Sequence, residues 1–142
     1  MFIFTVFFIV VAIALQAISV AGVEKTVGKL KGMIRDENDL QYVKRTINMN
    51  MQLAILYIAL SFLYIVALVI AIVNGASLGS AAINLLVFGI ITWPVGIIGR
   101  SYEKKIKQLK IENNNAKIAA RFLDYLTQWL EPRWQISDRD II

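Results

Sequence analysis

Glu103 and Lys107 stand four residues apart, the spacing that puts an acid and a base on one face of a helix. A carboxylate so placed can give or take a proton in general acid–base catalysis. At this spacing, however, a Glu–Lys pair reads first as a helix stabiliser. Asp124 is the other carboxylate weighed for such a role. The chain has no His and no Cys. Ser–His and Cys–His nucleophile pairs are therefore excluded, as is any disulfide framework. Haem, iron–sulfur and zinc sites lose their usual ligands. No Walker loop, GxGxxG or HExxH occurs. The expectation is a protein that is not an enzyme, with no cofactor, no metal and no small-molecule substrate.

The distribution of charge says more than the chemistry. All 15 Lys/Arg and 10 Asp/Glu of the 142-residue chain lie within 24–45 and 100–140. Residues 1–23 and 46–99 carry none. Overall 58% of residues are hydrophobic. Charge is absent where a chain would meet hydrocarbon and dense where it would meet water, the footprint of an integral membrane protein. The net charge of +5 could suggest nucleic acid, but these cations flank apolar spans, so nucleic acid is not expected.

The expected fold is all-α, with three transmembrane helices at about 2–23, 49–73 and 80–99, making a three-span domain of 1–99. A span of roughly 20 apolar residues crosses a bilayer core of about 30 Å. Ser19-Val20-Ala21 resembles a signal-peptide cleavage site, but no Lys or Arg precedes the apolar run, so an uncleaved span is expected. Residues 24–48 read as a helical hairpin beyond the membrane. Its turn falls at Arg35-Asp36-Glu37-Asn38-Asp39, and Asn38 and Gln41 have capping-box spacing. The uncharged stretch Asn74-Gly75-Ala76-Ser77-Leu78-Gly79-Ser80 suits the second turn. Pro94 is expected to kink the third span.

The tail, 100–142, is expected to be an amphipathic helical segment. Ile106, Leu109, Asn113, Ala116, Ala120, Leu123, Thr127 and Leu130 have heptad-like spacing over one long helix or two shorter ones. Asn113-Asn114-Asn115 could break it, and Pro132 marks a stop near Glu131. A second stripe, Ile118, Phe122, Tyr125 and Trp129, is the candidate docking face. It could lie on the membrane interface, on the 24–48 hairpin or on another protein.

Orientation follows from the positive-inside rule. The 24–48 segment holds six Lys/Arg and the tail nine, whereas residues 1–23 and the second turn hold none. The N-terminus is therefore expected outside and the tail in the cytoplasm, in a cell's inner or plasma membrane. Lys104, Lys105, Lys107 and Lys110 follow the third span and would contact anionic lipid. Small or polar residues within spans mark faces where helices can approach closely: Ala12, Gln16 and Ser19; Ala67 and Ala71; Asn84, Gly89, Gly96 and Gly99. No span contains an ionisable Asp, Glu, Lys or Arg. A self-sufficient proton or sodium pathway is therefore not expected. The expected partners are membrane lipids and other transmembrane subunits or a second copy of the chain. The leading expectation is a non-catalytic subunit that packs against and stabilises a larger membrane complex, its tail docking at the cytoplasmic face. The alternative is a homo-oligomeric pore, channel or stator-like assembly, with Asn84, Thr92 and Gly96 facing a lumen.

Overall fold

The structure, a computed structural model, describes residues 1–139. Three helices are long and apolar enough to cross a membrane. They are α1 (Ile3–Leu30), α2 (Glu37–Val73) and α3 (Leu78–Lys107). At 28, 37 and 30 residues, each exceeds its apolar part, because the helix carries on into the charged block beside it. A shorter helix, α4 (Ala116–Trp129), follows a break.

The chain reverses between α1 and α2 slightly earlier than the sequence suggests. Lys31 and Gly32 take positive φ values of 50° and 78°, and this left-handed pair ends α1. The cap of α2 is Asp36, not Asn38: its carboxylate accepts from Asp39 N at 2.8 Å. The Asp39 carboxylate in turn accepts from Arg35 N and Nε at 3.1 and 2.9 Å. Asn38 falls inside the first turn, because one acidic run offers several capping side chains and Asp36 takes the position. The second turn lies where the sequence places it. Gly75 has φ 98°, and Ser77 caps α3 by accepting from Ser80 N at 3.1 Å.

The fold is helical, as expected, with one small addition. Met33–Ile34 (β1) and Lys110–Ile111 (β2) form a minimal parallel pair that ties the α1–α2 turn to the chain leaving α3. The heptad-like seam does not exist as a face. α3 stops at Lys107, and Asn113 and Asn114 adopt left-handed φ of 54° and 47°. Asn115 then caps α4, accepting from Lys117 N and Ile118 N at 3.1 and 3.3 Å. Asparagine tolerates the left-handed region and competes for backbone hydrogen bonds, so the triplet ends one element and starts the next. α3 itself runs through Pro94 without interruption.

α1 is the central helix. It packs along both α2 and α3, while α2 and α3 touch each other far less. Two apolar clusters result. One, at the uncharged end, centres on Ile9, Tyr64, Leu68, Ala81 and Phe88. The other, at the charged end, joins Val23, Leu30, Ile34, Val43 and Ile47 to Ile106, Leu109 and α4.

Candidate functional site

The interior between the spans is polar at a few points and aromatic around them. Tyr64 is fully buried, and its ring stacks on Phe88 at 4.3 Å and tilts against Phe8 at 5.4 Å. Its hydroxyl lies 3.2 Å from Thr5 Oγ1, which also donates to Asn84 Oδ1 at 3.0 Å. Asn84 accepts from Phe2 N at 2.9 Å and donates to Ser80 O at 2.8 Å. Nearer the charged end, Ser19 hydrogen-bonds Asn50, and Thr26 bonds Thr46. These bonds join α1 to α2 and α3, and an apolar surround leaves water no competing place.

The small and polar residues divide into two groups. Ala12, Ser19 and Asn84 are buried inside the bundle. A side chain at Gly99 would press on the Gln16 amide, and one at Gly22 would overlap the end of Met49. At these two positions a side chain could enter only if the flexible end of Gln16 or Met49 moved aside. Gly89 and Gly96 differ, because a Cβ at either would meet nothing within 4 Å. Ala67 and Ala71 are half-buried.

The free glycines line a furrow. Where α2 and α3 touch each other little, a cavity of about 330 Å³ opens between them, bounded by Tyr57 and Ser61 on one side and by Gly89, Thr92, Trp93 and Gly96 on the other. Trp93 is 74% exposed at its rim. Thr92 itself is buried, and its hydroxyl donates to Phe88 O at 2.7 Å. A second cavity of about 250 Å³ continues toward the charged end past Gln16, Ser19 and Asn50 to Arg100 and Glu103. Glu103 borders this cavity, and it also lines a neighbouring cavity of about 390 Å³ with Lys107, Trp129 and Glu131.

The tail stripe is covered within the chain. Ile118, Phe122 and Tyr125 are buried against the α1–α2 end of the molecule, and Trp129 is half-buried beside them. α4 alone, at 14 residues, is too short to be stable in water; its packed face holds it. A further contact was not legible in the sequence. Residues 133–139 have no regular structure, yet Ile136 is 2% exposed and its N–H donates to Asn48 at 2.6 Å. Fully buried Gln128 accepts from Ser137 N at 3.0 Å and donates to Ser137 O at 2.8 Å, like a strand partner. Asp138 takes Lys44 Nζ at 2.8 Å and the Tyr125 hydroxyl. The Lys44 hydrogen bond, followed by that of Tyr125, holds the Asp138 carboxyl below its usual range. Burial, then the same carboxylate, pushes the Tyr125 phenol up.

The lysines expected at anionic lipid do not converge. Lys104 and Lys105 are exposed, with Lys105 4.1 Å above the Tyr102 ring. Lys107 lies 5.3 Å from the Trp129 ring, and Lys110 belongs to β2. A tighter group of cations, which sequence reasoning passed over as part of the hairpin, lies on the opposite flank. Lys25 and Lys29, one turn apart on α1, face Tyr42 and Arg45 of α2 across a cavity of about 320 Å³. The i,i+4 spacing of Lys25 and Lys29 was visible; the register bringing Arg45 opposite was not.

No family model matches the chain, and neither a curated protein nor a solved structure matches it.

Proposed function

We propose that this chain is a non-catalytic subunit of the membrane that packs against and stabilises a larger membrane protein complex. The observation that carries the reading is the furrow between α2 and α3, with Gly89 and Gly96 bare and Trp93 at its rim. In lipid, helices associate through close van der Waals packing at small residues rather than through a hydrophobic drive. A partner helix laid into the furrow would gain those contacts. The positive-inside bias orients the chain with α4 and the α1–α2 turn in the cytoplasm. There the tail offers its outer side, exposed Leu123, Leu130 and Trp134, to the partner, since its apolar stripe is occupied.

The homo-oligomeric pore is less favoured. Asn84, which would have to line it, is turned into the chain's own bundle, and the Thr92 hydroxyl, though Thr92 borders the furrow with Gly96, is spent on Phe88 O.

Because the chain has no Cys, single cysteines report cleanly. With this orientation, Ala76→Cys is expected to react with an impermeant maleimide on intact cells and Lys31→Cys only after permeabilisation. The opposite pattern would invert the topology. Trp93→Cys with a short crosslinker is expected to join a different membrane protein. A ladder of this chain alone would favour the pore, and no product at all would count against a docked helix.

A further inference from the structure

The pocket formed by Lys25, Lys29 and Arg45 has no carboxylate in its wall. Among the described residues, none of the three forms an ion pair. The acid nearest in sequence, Glu24, accepts instead from the Tyr102 hydroxyl of α3 at 3.0 Å. Like charges brought together without a counter-charge repel, and the arrangement gains from an anion between them. Tyr42 adds to it. Lys29 Nζ lies 3.4 Å from the centre of its ring, and Arg45 lies 6.0 Å away. The floor is built as well: Thr26 and Thr46 are buried and bonded to each other, and Met49 folds over Gly22.

Depth decides which anion. Gly22 and Met49 belong to the charge-free runs, whereas Lys25 and Arg45 are among the first charges beyond them. The pocket thus straddles the level at which hydrocarbon gives way to headgroups. Basic pockets between transmembrane helices at this level suit phospholipid headgroups. An acyl chain can run down the apolar outside of α1 and α2 while its phosphate remains among the cations.

We infer that the cavity between Lys25, Lys29 and Arg45 binds the phosphate-bearing headgroup of an anionic phospholipid. The inference needs α1 and α2 to span the membrane but needs no protein partner, so it stands or falls apart from the subunit reading.

The test is native mass spectrometry of the full chain in mild detergent, titrated with phosphatidylglycerol or phosphatidylcholine of matched acyl chains. One phosphatidylglycerol per chain is expected to be retained in preference to phosphatidylcholine. The triple variant Lys25→Gln, Lys29→Gln, Arg45→Gln is expected to lower that preference by at least about tenfold, because it removes all three cations facing the phosphate. Lys25→Arg with Lys29→Arg keeps the charge and is expected to keep the lipid. Lys104→Gln, Lys105→Gln and Lys110→Gln together are expected to leave it in place. Equal retention of the two lipids, or an unchanged preference in the triple variant, would overturn the inference. Displacement by inorganic phosphate as readily as by lipid would make this a free-anion site and overturn it too. So would a triple variant that keeps its lipid but loses a co-purifying protein.

Discussion

Phe122→Asp is expected to release α4 and the strap beyond it from the rest of the molecule, leaving the three spans in place. Phe122 is 7% exposed and packs in the cluster that joins α4 to α1 and α2. Truncating a buried Phe costs about 3–5 kcal/mol, and an aspartate adds the cost of an unpaired charge in an apolar site. The strap still ties the tail to α2 through Ile136 N on Asn48 and Asp138 on Lys44, but these are few and the second is half exposed. The ion pairs from Glu37 to Lys117 and Arg121 are long, at 3.9 and 3.6 Å, and largely exposed; such pairs add about 0–1 kcal/mol. Limited trypsin digestion measures the release. Cleavage after Lys117 and Arg121 is expected to speed up by about a hundredfold, since about 2.8 kcal/mol corresponds to that factor. Trp129→Asp, at a half-buried position, is expected to do less. A Phe122→Asp protein as resistant as the parent would mean that α4 is held by something other than this face.

Filling the furrow is expected to abolish assembly while sparing the chain itself. Gly89→Leu with Gly96→Leu places two side chains where a Cβ meets nothing within 4 Å. The monomer gains helix propensity, because glycine is about 1 kcal/mol worse than alanine within a helix. A partner helix loses its close approach. Co-isolation of that partner is expected to fall at least about tenfold, equivalent to about 1.4 kcal/mol, with the thermal transition of the purified chain unchanged or raised. Gly99→Leu is the contrasting case. It presses on the end of the half-buried Gln16 side chain, so the chain's own thermal transition is expected to fall slightly rather than rise. If Gly89→Leu with Gly96→Leu left co-isolation intact, the furrow would not be the docking surface.

The extent to which the sequence disclosed all this varies with the physics involved. Charge-free runs mark the spans directly, because hydrocarbon penalises every ionised side chain. The second turn was legible for a similar reason, since Gly75 and Ser77 have few other uses there. The stripe Ile118, Phe122, Tyr125 and Trp129 was legible as a face, though not what covers it. Helical periodicity reports that a side must be buried and not against which element. The heptad-like seam misled because spacing is indifferent to a break. Three asparagines outweigh the period, and Leu123 and Leu130 end up 65% and 76% exposed. Two contacts depend on partners that local spacing does not name. The strap at Ile136–Asp138 is bound by Asn48 and Lys44, far away in sequence, and by the nearer Gln128. The basic pocket depends on how α1 and α2 register across their turn. Among the glycines, only packing separates Gly99, pressed on its neighbour, from Gly96, open to the furrow.

The central claim is that the furrow between α2 and α3 takes a helix of another membrane protein. Native mass spectrometry tests it most directly, on the full chain drawn from its own host's membranes through a C-terminal tag in mild detergent. The expected result is this chain bound to larger membrane subunits at fixed stoichiometry, lost when Gly89 and Gly96 are replaced by leucine. A ring of this chain alone, or a monomer carrying only lipid, would contradict it.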